Sequence, residues 1–258
     1  PLVRLIPHGQ RKQRTAPCQC PVYNEFALPQ AMIQTLPRIA LIHATALAVE
    51  PIQSAFARHW PQARLMNVLD DSLSVDRAQA GQLTAEISQR FIDLAQYSVR
   101  AGSTGILFTC SAFGPAIEVA GKAVGLPTLK PNEAMFEQAL QMDHGQGVRV
   151  GLIATFEASI GSMSMELLEM AEAAGCKVKL ETAFVPEAMQ DLAQGRAQMH
   201  HDKIAQVASQ KLRGCDIVLL AQFSMAAALS TVHDHLNRPV LSSPDCAVLA
   251  MKKSLNHD

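Results

Sequence analysis

The chain has 258 residues, of which 48% are hydrophobic and 17% charged, and its formal net charge is −1. This composition is typical of a globular protein and excludes a disordered or collagen-like chain, and the sequence has no basic face of the kind that binds nucleic acid. No apolar run reaches the ~18 residues of a membrane span, and the N-terminal stretch lacks the apolar core of a secretory signal, so we expect a cytoplasmic protein with no membrane partner.

Strand-like runs rich in Ile, Leu and Val alternate with longer segments of helical period. This alternation indicates βαβ units and a parallel sheet. Residues 1–36 precede the first run and are predicted to form an N-terminal extension. In chain order the next elements are a strand RIALIHA from Arg38, a helix from about Glu50, a strand in ARLMNVLDDSL, a helix from about Thr84 to Arg100, a strand TGILFTC from Thr104, a helix GPAIEVAGKAV and a short strand LPTL.

The second half of the chain repeats this plan. RIALIHATALAVEPI from Arg38 matches RVGLIATFEASIGSM from Arg149 at an offset of 111 residues, while TGILFTC matches DIVLLAQ and LPTL matches RPVL at an offset of 112. Landmarks that keep one spacing indicate an internal duplication. We therefore predict an α/β fold of two similar parallel-sheet halves related by a pseudo-two-fold axis. Residues 37–131 with 239–258 would form the first half, and residues 132–238 the second.

Open parallel sheets bind ligands beyond the carboxyl ends of their strands, so two facing halves would make one site at their interface. In this arrangement Cys110 ends the first central strand and Gln222 ends its counterpart, each six residues after its run begins. The strand ends, where we expect the site residues, are His43 to Thr45, Asp70 to Ser72, Cys110 to Ala112, Ala154 with Thr155, and Gln222 to Ser224.

Cys110 lies in the stretch ILFTCSAFGP, where an apolar strand runs into small residues and the start of a helix. Most free cysteines are buried and inert, and that interpretation applies here too. The alternative is a reactive thiol, because the N-terminus of a helix lowers the pKa of a thiol and its N–H groups bind carboxylates.

We expect the six cysteines to be free thiols, as is usual for a cytoplasmic protein. Cys18 and Cys20 form a C-x-C pair without the further ligands that a zinc site needs, so no metal site is predicted. The adjacent pair His200 and His201 would diverge on a helix rather than chelate.

The stretch TCSAFGP, supported by IALIHATALAVEPI, LDDSLSVD, VGLIATFEASIGS and LLAQFSMAA, resembles the aspartate/glutamate racemase superfamily. That superfamily includes glutamate, aspartate and hydantoin racemases, maleate isomerase and arylmalonate decarboxylase, and the resemblance covers roughly Pro37 to the C-terminus. It implies cofactor-independent chemistry on a small carboxylate, with one cysteine per half exchanging the substrate proton. Here Gln222 stands at the place of the second cysteine, and Cys215 begins that strand instead of ending it.

A single thiol leaves three reactions open. Cys110 could add to an activated double bond, as the resemblance to maleate isomerase suggests. It could protonate the enolate left by a decarboxylation, although in arylmalonate decarboxylase the single cysteine belongs to the second half. It could also racemise with His43 as the second acid, because an imidazole pKa near ~6.5 suits proton transfer, whereas a histidine in an apolar strand is more often structural.

The predicted substrate-binding residues are hydroxyl, amide and backbone groups at the strand ends, which could hold a carboxylate and a developing negative charge. They are Thr45, Ser111, Ala112, Thr155, Gln222 and Ser224. Three of these, Ser111, Thr155 and Ser224, could instead be helix N-caps. No lysine or arginine lies at these ends; Arg77 and Lys130 are candidate suppliers of positive charge, and we interpret Asp70 and Asp71 as solvated surface.

The leading hypothesis is a cofactor-independent isomerase or racemase of a small carboxylic acid that uses Cys110. A decarboxylase that protonates an enolate, and an inactive carboxylate-binding protein, are the alternatives. A homo-oligomer is compatible with the sequence.

Overall fold

A computed structural model of the protein describes residues 36–255. Residues 1–35 of the predicted N-terminal extension, which include Cys18 and Cys20, and residues 256–258 lie outside the described residues. Within residues 36–255, no helix is both long and apolar enough to cross a lipid bilayer. The same residues contain no group of three or more His, Cys, Asp or Glu side chains placed to hold a metal ion.

The first half contains a four-stranded parallel sheet in the order β2-β1-β3-β4. Its central strand β3 is buried along its whole length, as expected for a parallel sheet covered on both faces. The elements are β1 (Arg38–His43), α1 (Val49–His59), β2 (Arg64–Leu69), α2 (Ser72–Ala80), α3 (Ala85–Arg100), β3 (Gly105–Phe108), α4 (Gly114–Val124) and β4 (Thr128–Leu129).

The second half contains another four-stranded parallel sheet, in the order β6-β5-β7-β8. Strand β7 is completely buried, like its counterpart β3. The elements are α5 (Glu133–Leu140), β5 (Val148–Ala154), α6 (Ala158–Ala173), β6 (Val178–Phe184), α7 (Ala188–Ala193), α8 (Ala197–Lys211), β7 (Ile217–Leu220), α9 (Leu229–Leu236), β8 (Val240–Ser242) and α10 (Ser243–Ser254).

The two sheets confirm the α/β fold and the duplication. The two strand orders are the same if β5, β6, β7 and β8 are taken as the counterparts of β1, β2, β3 and β4. The centre of the first sheet is formed by β1 and β3, and that of the second by β5 and β7. The register of the second sheet repeats that of the first, since Ile39 pairs with Gly105 as Val150 pairs with Ile217. The pseudo-two-fold arrangement predicted from the offset therefore holds at the level of strand pairing.

Helices α5 and α10 each follow the last strand of one sheet and pack on the other sheet. Helix α5 follows β4 of the first sheet but packs into the core of the second, where Met135 and Phe136 join the Val150 cluster. Helix α10 follows β8 of the second sheet but packs on the first, and a Cβ atom added at Gly105 would lie only 2.7 Å from Met251 Sδ. The starts of the two helices are in contact, because the buried Ser243 hydroxyl donates to Asn132 Oδ1 at 2.7 Å.

The predicted boundaries also place α5 in the second half and α10 in the first, but by assigning residues 239–258 as a block they put β8 in the first half as well. Strand β8 pairs with β7 and so belongs to the second sheet, whereas α10 covers the first. The physical reason is that each short fourth strand hydrogen-bonds in its own sheet, while the helix after it buries its apolar face on the other sheet.

Candidate active site

The carboxyl ends of the central strands of both halves meet. Each of β1, β3 and β7 is followed by a 3-10 turn, at Ala46–Ala48, Ser111–Phe113 and Phe223–Ala228. The turn after β3 packs against α6 of the second half, and the turn after β7 packs against α1 and the turn after β1. The turns after β1, β3 and β7 therefore lie where the two halves are in contact.

Cys110 lies in extended backbone two residues after β3, with its thiol partly buried. Phe108 and Phe113, on either side of it along the chain, both pack on Phe91, with ring centroids 5.2 and 4.8 Å apart. Burial raises the pKa of the Cys110 thiol, and the N–H of Ala112, which is directed at the sulfur, opposes this effect in part. A raised pKa favours the protonated form of the Cys110 thiol.

The sequence suggested a lowered pKa at this cysteine, and the structure shows the opposite. The three-residue turn Ser111–Phe113 separates Cys110 from α4, which begins only at Gly114. The N-terminus of α4 therefore does not act directly on the sulfur, because the effect of the helix dipole is confined to the first turn of the helix. One turn amide remains, and it does not outweigh the desolvation.

Gln222 occupies the equivalent place in the second half, and its amide is fully engaged there. Its Oε1 accepts from the Thr155 backbone N–H at 2.9 Å and from the Thr155 hydroxyl at 3.3 Å, while its Nε2 donates to Ser159 Oγ at 2.8 Å. An amide side chain also has no proton to transfer at a useful pKa. Gln222 therefore joins the ends of β7 and β5 and does not replace the missing thiol chemically.

His43 is completely buried, and both of its ring nitrogens have partners. Nδ1 lies 2.9 Å from Thr109 Oγ1, and Nε2 lies 3.0 Å from Asn67 Oδ1. Burial lowers the pKa of His43, with the bond to Asn67 opposing the shift. A neutral imidazole without exposed surface cannot deliver a proton directly to a substrate, so the geometry does not support the predicted role of His43 as second acid.

The remaining predicted binding residues differ in how freely they can meet a ligand. Ser111 and Ser224 are half-buried, and within residues 36–255 neither hydroxyl makes a hydrogen bond to protein. Thr45 caps the turn after β1, where its hydroxyl accepts from Leu47 N at 3.4 Å. Ala112 contributes the amide that faces Cys110. Contrary to the capping alternative, Ser111 and Ser224 do not act as side-chain caps.

Of the two candidate suppliers of positive charge, Lys130 is engaged elsewhere and Arg77 is not held by a partner at its Nε atom. Lys130 forms ion pairs with Glu118, Glu133 and Glu166 at 3.0 to 3.8 Å. Asp70 accepts from Arg90 at 2.5 Å, in agreement with a surface role. Arg77 lies half-buried on α2, with an Nε atom that finds no partner in the described part of the chain.

Several site residues were missed in the sequence because their roles depend on contacts distant along the chain. Asn67 and Thr109 complete the His43 chain, and Ser159 completes the Gln222 network. Glu157 and Phe156 follow β5, and both side chains are exposed. Of these residues, Thr109 alone could have been linked to the site from the sequence, because it directly precedes Cys110.

The two clearest cavities lie away from these strand ends. One, of about 340 Å³, borders α4 and β4 near Glu118 and Lys130. The other, of about 360 Å³, lies beside Arg149 and Lys177 at the opposite edge of the second sheet. The site is accordingly defined by the meeting of strand ends and not by cavity size.

The family model for Asp/Glu/Hydantoin racemase matches residues 39–248, and the chain belongs to this family of racemase-type enzymes. Known structures share the fold. Allantoin racemase from Klebsiella pneumoniae superposes with a TM-score of 0.64 at 17% identity, covering 85% of this chain and 88% of that one. A glutamate racemase isoform from Bacillus anthracis superposes with a TM-score of 0.64 at 15% sequence identity, covering 86% of this chain and 82% of that one.

Unliganded arylmalonate decarboxylase also shares the fold, with a TM-score of 0.57 at 16% identity and coverage of 83% of this chain and 92% of that one. No curated protein matches the chain by sequence. The resemblance to racemases inferred from the sequence is confirmed, and the reaction remains to be assigned from the site.

Proposed function

We propose that the protein is a cofactor-independent isomerase or racemase of a small carboxylic acid, with Cys110 as the thiol that exchanges a proton with the substrate or adds to it. The observation that carries this proposal is the position of Cys110. Its thiol ends the central strand of the first half, is partly exposed, and meets the Ala112 amide where the two halves join.

The groups around Cys110 favour a substrate with a single negative charge. The uncommitted hydroxyls of Ser111 and Ser224, with the backbone amides of their turns, can bind one carboxylate and the oxygen that gains charge. The segments 44–47, 109–113, 155–157 and 221–224 contain no lysine or arginine, and they include the exposed apolar side chains of Leu47 and Phe156. A second carboxylate would be desolvated there without a cation, which is costly.

Racemisation needs a second proton carrier on the opposite face of the substrate carbon. Since Gln222 and His43 are engaged, we assign this role to Glu157, an exposed carboxylate that opens α6 next to the turn after Cys110. The Glu157 carboxylate removes the proton from the substrate carbon, the enediolate is held by the hydroxyls and amides, and the Cys110 thiol donates its proton to the other face. After one turnover Glu157 is protonated and Cys110 is a thiolate, which are the forms that the reverse direction uses. Proton exchange of both groups with water restores the starting forms for another turnover in the same direction.

A second candidate reaction is decarboxylation, and the raised pKa of Cys110 favours it. A thiol that keeps its proton at neutral pH is ready to protonate the enolate left when the bond between carbon and the departing carboxylate breaks and carbon dioxide leaves. In that reaction Cys110 acts alone as acid, and Glu157 has no required role.

Proton NMR in deuterated water tests the proposal. The protein is incubated with amino acids, hydantoins, maleate-like diacids and substituted malonates, and exchange, isomerisation and loss of carbon dioxide are followed. We expect turnover of a compound with one net negative charge, loss of at least ~100-fold in rate in Cys110→Ala, and a similar loss in Glu157→Gln for racemisation but not for decarboxylation.

Cys176→Ala is the matched control, because Cys176 is also a partly buried free thiol but bonds to Leu140 O, outside the strand ends. Its activity should equal that of the wild type. Activity that survives Cys110→Ala would refute the role of the thiol, and binding without any turnover across the panel would identify a carboxylate-binding protein instead.

A further inference from the structure

A chain of three polar side chains crosses the first sheet at its carboxyl edge, with an exposed residue, Asn67, at one end and two buried ones, His43 and Thr109, behind it. Asn67 on β2, His43 at the end of β1 and Thr109 after β3 are linked by contacts of 3.0 Å and 2.9 Å. The Thr109 backbone N–H also donates to Ile42 O at 3.1 Å. Three neighbouring strands are thus connected at their carboxyl ends, and the last member of the chain is bonded covalently to Cys110.

With Asn67 Oδ1 facing the ring, each bond takes one direction. Because Oδ1 is an acceptor, His43 Nε2 carries the proton, and in a neutral imidazole Nδ1 is then the acceptor. In this tautomer the Thr109 hydroxyl donates to Nδ1 at 2.9 Å in preference to its longer contact of 3.4 Å with Ile42 O. Complete burial of His43 favours the neutral ring that this pattern requires.

The second half supplies an internal comparison. At the positions equivalent to His43 and Thr109 it has Ala154 and Ala221, both buried. The same strand pairing forms there without any imidazole or hydroxyl, so the fold does not require the polar pair. The pair occurs in the half that carries the thiol, which connects it to Cys110 and not to sheet formation.

We propose that Asn67, His43 and Thr109 are positioning residues that hold the Thr109–Cys110 segment so that the Cys110 sulfur faces the Ala112 N–H. His43 does not touch the substrate in this arrangement. It acts through Thr109, whose orientation it fixes, and Asn67 acts one step further away by selecting the tautomer. The inference rests on the proposed function in one respect, which is that Cys110 is the thiol that reacts with the substrate.

Alkylation of the full-length protein with iodoacetamide, followed at Cys110 by peptide mass spectrometry from about pH 6 to about pH 10, measures the thiol directly. We expect Thr109→Val to move the apparent pKa of Cys110 upward by about one pH unit and to slow its alkylation at neutral pH about tenfold, because the sulfur loses its aligned amide. Asn67→Leu should shift it in the same direction by less.

Thr109→Ser should restore the wild-type titration, because it keeps the hydroxyl. Thr104→Val is the matched control: Thr104 precedes the same strand at its other end, and its hydroxyl contacts Arg38 O. A Cys110 titration that is unchanged in Thr109→Val, with only the free energy of unfolding lowered, would overturn the positioning role.

A Cys110 that is inert at every pH in the wild-type protein would overturn both this inference and the proposed function. A reactive Cys110 that is indifferent to Thr109 and Asn67 would overturn the inference alone.

Discussion

At the scale of single residues, the position of Gln222 explains why the second half lacks a thiol without losing its structure. The Gln222 amide satisfies the Thr155 backbone N–H, a group that would otherwise point at the strand end without a partner. Thr155 itself is only 5% exposed, so an unpaired amide there would carry a desolvation cost. Gln222 thus has a structural role at the strand end that is equivalent to that of Cys110.

Gln222→Cys should lower the free energy of unfolding by about 1–3 kcal/mol, because the Thr155 amide and Ser159 lose their partner. Urea unfolding measures this change. The new thiol would stand at the position equivalent to Cys110, so we also expect faster exchange of the substrate proton with deuterated water. Unchanged stability would contradict the structural role of Gln222.

His200 is a second residue whose environment predicts a measurable effect. It is completely buried on α8, and neither ring nitrogen has a hydrogen-bond partner within residues 36–255. Burial lowers the pKa of His200 to about 4, with a smaller contribution from His201 and an opposing one from Asp191. Between this value and the ordinary ~6.5, the unfolded chain holds a proton that the folded chain does not.

The free energy of unfolding should therefore fall as the pH is lowered through this window, by about 2 kcal/mol between pH 7 and pH 5. Above pH 7 the titration of His200 should no longer change it. His200→Leu removes this part of the acid sensitivity. His233→Leu, at an exposed position on α9, is the control and should leave it intact. Urea unfolding at both pH values decides, and equal acid sensitivity in wild type and His200→Leu would refute the assignment.

At the scale of elements, the strands and most helices were predictable because their signals are local. Helix α3 runs from Ala85 to Arg100 with Thr84 as its cap, close to the predicted span, and Thr84 Oγ1 accepts from Ile87 N as an N-cap should. The predicted boundaries placed α5, within 132–238, in the second half and α10, within 239–258, in the first, and each helix packs in that half. The same boundaries placed β8 in the first half, and its pairing with β7 is visible only in three dimensions.

The same distinction holds in the site. Cys110 and Gln222 could be paired from the offset alone, because equivalent positions in a duplication are fixed by counting. The bonds of His43 to Asn67 and Thr109 join residues 24 and 66 positions apart, so no local pattern reports them. The pKa of Cys110 could not be predicted either, since it depends on the packing of Phe91, Phe108 and Phe113.

At the scale of the whole molecule, an ion-pair cluster links the halves. Lys130, at the end of the first sheet, is only 16% exposed and pairs with Glu166 on α6 of the second half. Burial raises the pKa of Glu166, and Lys130 opposes that shift. The lysine also contacts Glu118 and Glu133, so it offsets repulsion among three carboxylates.

Lys130→Met should lower the free energy of unfolding by about 1–3 kcal/mol, because Glu166 loses its counter-charge in a half-buried position. The double variant Lys130→Met/Glu166→Gln should recover part of the loss. Urea unfolding of the single and double variants measures the coupling. A double variant less stable than Lys130→Met would show that the pair does not account for the effect.

The reciprocal placement of α5 and α10 has a consequence for the origin of the molecule. A repeat unit that sends its last helix to cover its neighbour, and receives the neighbour's helix in return, has the architecture of a domain-swapped homodimer. Joined end to end, two such chains would give this connectivity. Such an ancestor would have had the same residue at both equivalent strand ends. After fusion each copy was free to change alone, and the two ends now carry Cys110 and Gln222.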